Sequence, residues 1–128
     1  MSDDEFADEY DDELPAFDGV DLVSQRNDLA VELRTALAEC LETGREYARL
    51  ANEFRRARGL ATAQLRESGT PVTIIDKLLY NDPEVATLRL KCDMAEVEYK
   101  VATEAVNVVK LLLRSAEEDV KRDWSAQQ

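Results

Sequence analysis

One feature limits this chain more than any other: two stretches of about forty residues each keep a four-three apolar spacing without a slip. The first runs from about Asp28 to Glu67, through Ala30, Leu33, Leu37, Cys40, Gly44, Tyr47, Ala51, Phe54, Arg58, Ala61 and Leu65. The second runs from about Pro83 to Trp124, through Val85, Leu88, Cys92, Ala95, Tyr99, Ala102, Val106, Val109, Leu113, Ala116 and Val120. Period-two alternation is absent, and heptads sustained this long predict helices that pack along a coiled-coil seam.

The punctuation between the two stretches agrees. Ser68-Gly69 is a C-terminal stop. Asp82-Pro83-Glu84 supplies an N-cap, a proline at the first helical position and an acid in the first turn. Within TPVTIIDKLLYN, Thr70-Pro71 opens a short third helix expected to bury Val72, Ile75 and Leu79. Equal helices on a short connector predict an all-α fold: a long antiparallel helical hairpin with a short helix in the connector.

A turn centred near Ile75 implies a register. It pairs Leu65 with Val85, Ala61 with Leu88, Phe54 with Ala95, Ala51 with Tyr99, Tyr47 with Ala102 and Gly44 with Val106. Each core aromatic then meets an alanine, large against small. Cys40 falls beside Val109 and Cys92 near Arg58, so the thiols are buried small groups too far apart to pair. Arg58 is the one charge in the seam, near Asp93 and Glu96, where it would act as a register-fixing polar site. The second stretch also carries an additional apolar stripe, Leu90, Met94, Val97, Val101, Val108 and Leu112. A two-helix hairpin cannot cover both stripes. The surplus predicts a homodimer in a four-helix arrangement, or the helix of a partner.

Charge divides the chain differently. Residues 1–21, MSDDEFADEYDDELPAFDGVD, hold ten of the 28 acids and no base. From Leu22 onward 18 acids face 16 Lys and Arg, so the net charge of −12 sits mainly at one end. The expected organisation is a disordered acidic tail over 1–21 and a helical-hairpin domain over 22–128. A nearly balanced body lacks the positive field that nucleic acid demands, so direct nucleic-acid binding is not expected. The acidic start is unlike a secretory signal, no apolar run reaches membrane-spanning length, and two cysteines make no disulfide framework. A cytoplasmic protein with no membrane association follows.

The inventory excludes much chemistry. Histidine is absent from all 128 residues, which removes His-dependent nucleophilic sites, proton shuttles and di-iron Glu-x-x-His pairs. Two distant cysteines make no zinc site, and Gly19, Gly44, Gly59 and Gly69 stand alone rather than in phosphate-binding loops. Glu39, Glu42, Glu46 and Glu53 fall at helical spacing among Arg45, Arg49 and Arg56, as on a solvated face. Arg34, Arg45, Arg49, Arg58, Arg89, Lys91 and Glu53 imitate the inventory of small helical chorismate mutases, but their heptad positions mostly face solvent. No enzyme activity, cofactor or metal is expected.

From about Tyr47 to Trp124 the sequence resembles small helical proteins of phages and prophages of Gram-positive bacteria. The resemblance rests on SGTPVTIIDKLLYNDPEVATLRLK and AEVEYKVATEAVNVVKLLLRSAEEDVKRDWS, which follow a pattern Y…G-x-P…D-P-x-V…Y-K…E…N…K. Such proteins are often encoded near recombination or single-strand-binding genes, so the resemblance implies a bacterial host cytoplasm. It carries no catalytic residue, and the acidic segment lies outside it.

Three functions stay open at this point. In one, the chain is a phage-encoded binding protein that engages or inhibits a nucleic-acid-handling protein, as anti-CRISPR-type inhibitors do. Its tail residues Asp3, Asp4, Glu5, Asp11, Asp12 and Glu13 would imitate a nucleic-acid strand, and Phe6, Tyr10, Leu14 and Phe17 would anchor in apolar pockets. The spacing of Phe6, Tyr10 and Leu14 suits an amphipathic helix formed on binding. In the second, it is an accessory of phage recombination or replication: DDELPAF is similar to the acidic, aromatic-ended tip of bacterial single-strand-binding proteins, although Phe17 is internal here. In the third, it is a structural coiled-coil scaffold.

Overall fold

A computed structural model describes residues 19–127, and among them every regular element is helical. Helix α1 spans Gly19–Glu67, α2 spans Val72–Leu78, a single 3-10 turn covers Leu79–Asn81, and α3 spans Pro83–Gln127. The two long helices pack together.

Each boundary has a local cause. Gly69 adopts φ +78°, a region that favours glycine. There the Gly69 amide donates to the Arg66 carbonyl at 3.0 Å and the Thr70 amide to the Leu65 carbonyl at 3.0 Å. This is a Schellman closure of the last turn of α1. At the start of α3 the Asp82 carboxylate accepts from the Glu84 amide at 2.9 Å and from the Val85 amide at 3.2 Å. Pro83 occupies the first helical position and Glu84 the first turn, where the helix dipole favours an acid. The expected stop and cap are both present.

The chain divides into two compact units. One comprises Glu32–Lys110, the other the described residues before Glu32 together with those after Lys110. In the Glu32–Lys110 unit the connector is the most tightly packed part. Leu79 and Val85 are each 1 % exposed and form a cluster with Ile75 and Ala61, against which Phe54, Ala57 and Leu65 pack. Burying side chains of this size contributes about 1.5–3 kcal/mol each, so the connector anchors the turn rather than merely spanning it. Arg89 adds a contact from α3, its guanidinium carbon 4.4 Å from the Tyr80 ring centre. The Val72 side chain is exposed instead of buried. It opens the short helix, and a seven-residue helix turns one narrow face inward, which Ile75 and Leu79 fill.

The antiparallel direction follows from contacts far apart in sequence. The rings of Tyr47 and Tyr99 meet edge to face with centroids 6.1 Å apart, and Cys40 Sγ lies 3.7 Å from Thr103 Oγ1. A Cβ placed on Gly44 would touch the Tyr99 ring at 3.5 Å. These contacts differ from the register expected for a turn centred at Ile75. Tyr99 meets Gly44 and Tyr47 where Ala51 was expected, and Cys40 meets Thr103 where Val109 was expected. The helices are offset from that pairing by four to seven residues, between half a heptad and a whole one. Large-against-small packing still operates, but the small member is the glycine: its bare backbone lets the Tyr99 ring approach.

In the second unit, Ala116 and Val120 are buried on α3. On α1, Leu22, Val23, Arg26, Leu29 and Ala30 are half-buried at helical spacing. That stripe carries α1 back to Gly19, before both the expected helix start near Asp28 and the expected domain start at Leu22. Asp21, in its first turn, complements the dipole.

Candidate interaction surface

Helix α3 has two apolar faces. The seam positions Val85, Ala95, Ala102, Val106, Val109, Ala116 and Val120 are buried, and Leu88, Cys92 and Leu113 are half-buried. The other stripe, Leu90, Met94, Val97, Val101, Val108 and Leu112, is exposed throughout, at 49–64 %. Its centre lies about half a turn from the seam: Val101 follows Tyr99 by two residues, a rotation of about 200°. Leu111 is exposed as well, beside Leu112. Only position 104, a glutamate, interrupts the four-three spacing from Leu90 to Val108.

Helix α1 presents a different outer surface. Arg49 holds two glutamates there: Nη2 and Nε donate to Glu46 at 2.6 and 3.0 Å, and Nη1 donates to Glu53 at 2.6 Å. The fork holds the Glu46 carboxyl below its ordinary range, chiefly through the Arg49 hydrogen bonds, and raises the Arg49 guanidinium correspondingly. These partners are solvated, as the sequence implied for Glu46 and Glu53, so the arrangement is a surface ion-pair cluster.

Arg58 is corrected by the structure. It is exposed rather than held in the seam, and no ion pair among the described residues includes it. At that level Phe54, Ala57 and Ala61 supply the inward side chains. A long cationic side chain next to alanines reaches water at little cost, so the seam passes beside it. Leu37 is likewise exposed, while Leu50, outside the heptad series, is buried.

Both cysteines are free and half-buried. Burial, and then the nearby Asp93 and Glu96 charges, raise the Cys92 thiol above its ordinary pKa, opposite to what a reactive thiolate needs. Grooves on the described surface are open to solvent. One, about 650 Å³, runs between Glu53, Arg56 and Leu60 on α1 and Glu84, Thr87 and Lys91 on α3. Another has Tyr47, Tyr99, Lys100 and Glu104 among its walls. Among the described residues no group of three or more Cys, Asp or Glu side chains is placed to hold a metal ion. No buried side-chain polar atom there lacks a hydrogen-bond partner, and no helix is long and apolar enough to cross a membrane.

The acid-rich candidates Asp3, Asp4, Glu5, Phe6, Tyr10, Asp11, Asp12, Glu13, Leu14 and Phe17 lie outside the described residues. No family model, curated protein or solved structure matches the chain.

Proposed function

We propose that the protein is a non-catalytic helical binding protein that engages a nucleic-acid-handling protein by protein–protein contact. In this reading the acid-rich segment competes for the partner's Arg/Lys groove, and the helical body carries that segment. The observation behind it is the separation of charge: ten acids without a base in residues 1–21, against 18 acids and 16 bases in the rest. Solubility alone does not call for Phe6, Tyr10, Leu14 and Phe17 among those acids, whereas a binding segment uses them as anchors. The resemblance to small phage and prophage proteins supports a partner such as a host-defence nuclease, inhibited in a bacterial cytoplasm, or a recombination factor.

Affinity capture from a bacterial lysate tests the reading, using the full chain beside a full-length variant with Asp3, Asp4, Asp11 and Asp12 changed to Asn and Glu5 and Glu13 to Gln. The expected result is an identified nuclease, helicase or strand-annealing protein that is retained at low salt and released by heparin or by salt. It should be lost from the neutralised variant. Equal retention by both chains overturns the reading. A second reading, an assembly scaffold, is favoured by the exposed apolar stripe of α3. It predicts that both chains capture only further copies of themselves.

A further inference from the structure

The stripe on α3 repeats at Leu90, Met94, Val97, Val101, Glu104 and Val108, a four-three spacing of its own on the side away from the seam. All five apolar members are more than half exposed. Together they offer on the order of 500 Å² of surface, near the top of the range for the largest apolar patch on a monomer. A stable protein pair buries about 800 Å² on each side, so this row with its polar rim approaches what one protomer must contribute.

We propose that this row is a self-interface, on which a second copy of the chain lays its own row antiparallel about a two-fold axis to form a four-helix arrangement. The single charge sets the direction. In a parallel pair the two Glu104 side chains would face each other inside the contact, an uncompensated like-charge burial. The antiparallel pair places Val97 against Val101 of the second copy, Leu90 against Val108, and Met94 against Glu104. Lys100, which holds Glu96 of its own chain at 3.0 Å, lies on the same flank as Glu104 and keeps that flank from being uniformly acidic. Lys91 and Lys100 balance Asp93 and Glu98 in number along the rim, so its net charge does not oppose a second copy. The acid-rich segment of the chain, or an anionic membrane, would find no positive rim to hold it. The axis does bring the two Glu98 side chains together, a like-charge contact that is specific to this register.

Sedimentation equilibrium of the full chain tests the proposal. The expected species has twice the 14.5 kDa chain mass. The double substitution Val97→Glu with Val101→Glu should weaken association by about a hundred-fold, with helical circular dichroism unchanged because both side chains already face water. Glu98→Gln should tighten the pair by about two-fold, the usual size of a surface like-charge contact. Orientation is read by mixing Val97→Cys chains with Val101→Cys chains, both carrying Cys40→Ser and Cys92→Ser. A disulfide forming only in the mixture supports the antiparallel pair, whereas each chain linking to its own kind overturns it. A wild-type chain that stays monomeric at about 100 μM, or a dimer indifferent to the double glutamate change, overturns the proposal, since a pair this size should reach micromolar affinity. The neutralised acid-segment variant should dimerise unchanged, so failure of the binding reading and failure of this one are separable.

Discussion

The inner and outer faces of α3 carry similar side chains and meet different fates. Valines and leucines repeat at four-three spacing on both, with a methionine on the outer one alone, yet Val85, Val106 and Val109 are buried while Val97, Val101 and Val108 are exposed. Periodicity establishes that a helical face is apolar. What that face meets is decided by topology, and one neighbouring helix covers only one face. Helix α1 has a charged outer surface around Arg49, and its exposed Val31, Leu37, Leu41 and Leu60 do not line up in a continuous four-three row. The asymmetry between the two long helices, rather than either face alone, makes the outer row of α3 informative.

The strongest way to break this comparison is to truncate one side chain from each environment. Leu79→Ala empties a site that is 1 % exposed, beside Val85 at the start of the inner face, and should cost about 2–5 kcal/mol. Val101→Ala, from a side chain 64 % exposed, should change the stability of the dilute, unassociated chain by less than about 0.5 kcal/mol. Urea midpoints measured at low protein concentration decide the matter. Equal shifts would mean that the outer row is already covered within one chain.

The glycines sharpen the same contrast. Gly44 faces the Tyr99 ring, so Gly44→Leu must overpack the seam, at about 1–3 kcal/mol by thermal denaturation. Gly59 has nothing within 4 Å of its Cβ position. Gly59→Ala should therefore stabilise the helix by about 0.5–1 kcal/mol, the ordinary helix-propensity gain. A loss at Gly59 would reveal a neighbour that one chain does not supply.

Much of this was legible in the residues. Ten of the eleven heptad positions on α3 are buried or half-buried, and only Tyr99 is exposed, so the spacing located nearly the whole inner face. The Gly69 stop and the Asp82 cap were readable because their chemistry is local. The register was less legible, because a repeat that matches itself every half heptad leaves neighbouring layers nearly equivalent. Gly44 against Tyr99 breaks the tie, and glycine announces nothing in a heptad count. Arg58 and Leu50 show the other limit. A seam a few side chains wide drifts around a helix, and whether a residue at its edge is covered depends on the neighbour's shape. For the outer row, the stripe was readable from its spacing, but Leu111 had to be seen in place.

The Asp82 cap offers a test that distinguishes neither face and so calibrates both. Asp82→Ala removes the acceptor of the Glu84 and Val85 amides and should cost about 1 kcal/mol. The two amides belong to Glu84, just ahead of the inner face, and to Val85, its first buried member. Helix fraying there would show as faster amide exchange from Glu84 to Leu88. Exchange at Val97 and Val101 should be unchanged. Faster exchange along all of α3 would mean that the cap holds the whole helix and that the two ends are not independent.

The smallest effect comes from the outer surface of α1. Arg49 holds Glu46 below its ordinary carboxylate pKa, so any stability the contact supplies is present above the unfolded pKa and is lost as pH falls through the folded one. The pair is solvated, and the loss across that acidic window should be slight. The decisive measurement is therefore the titration itself. In Arg49→Met, carbon-detected NMR should show the Glu46 carboxyl moving up toward its ordinary value, while the urea midpoint at neutral pH barely moves. If Glu46 titrates identically in both proteins, the Arg49 fork is not its cause. If instead the midpoint falls as far as it does for Leu79→Ala, the charged face of α1 supports the fold as strongly as the inner face of α3, and the contrast between ordinary and surplus outer surfaces fails.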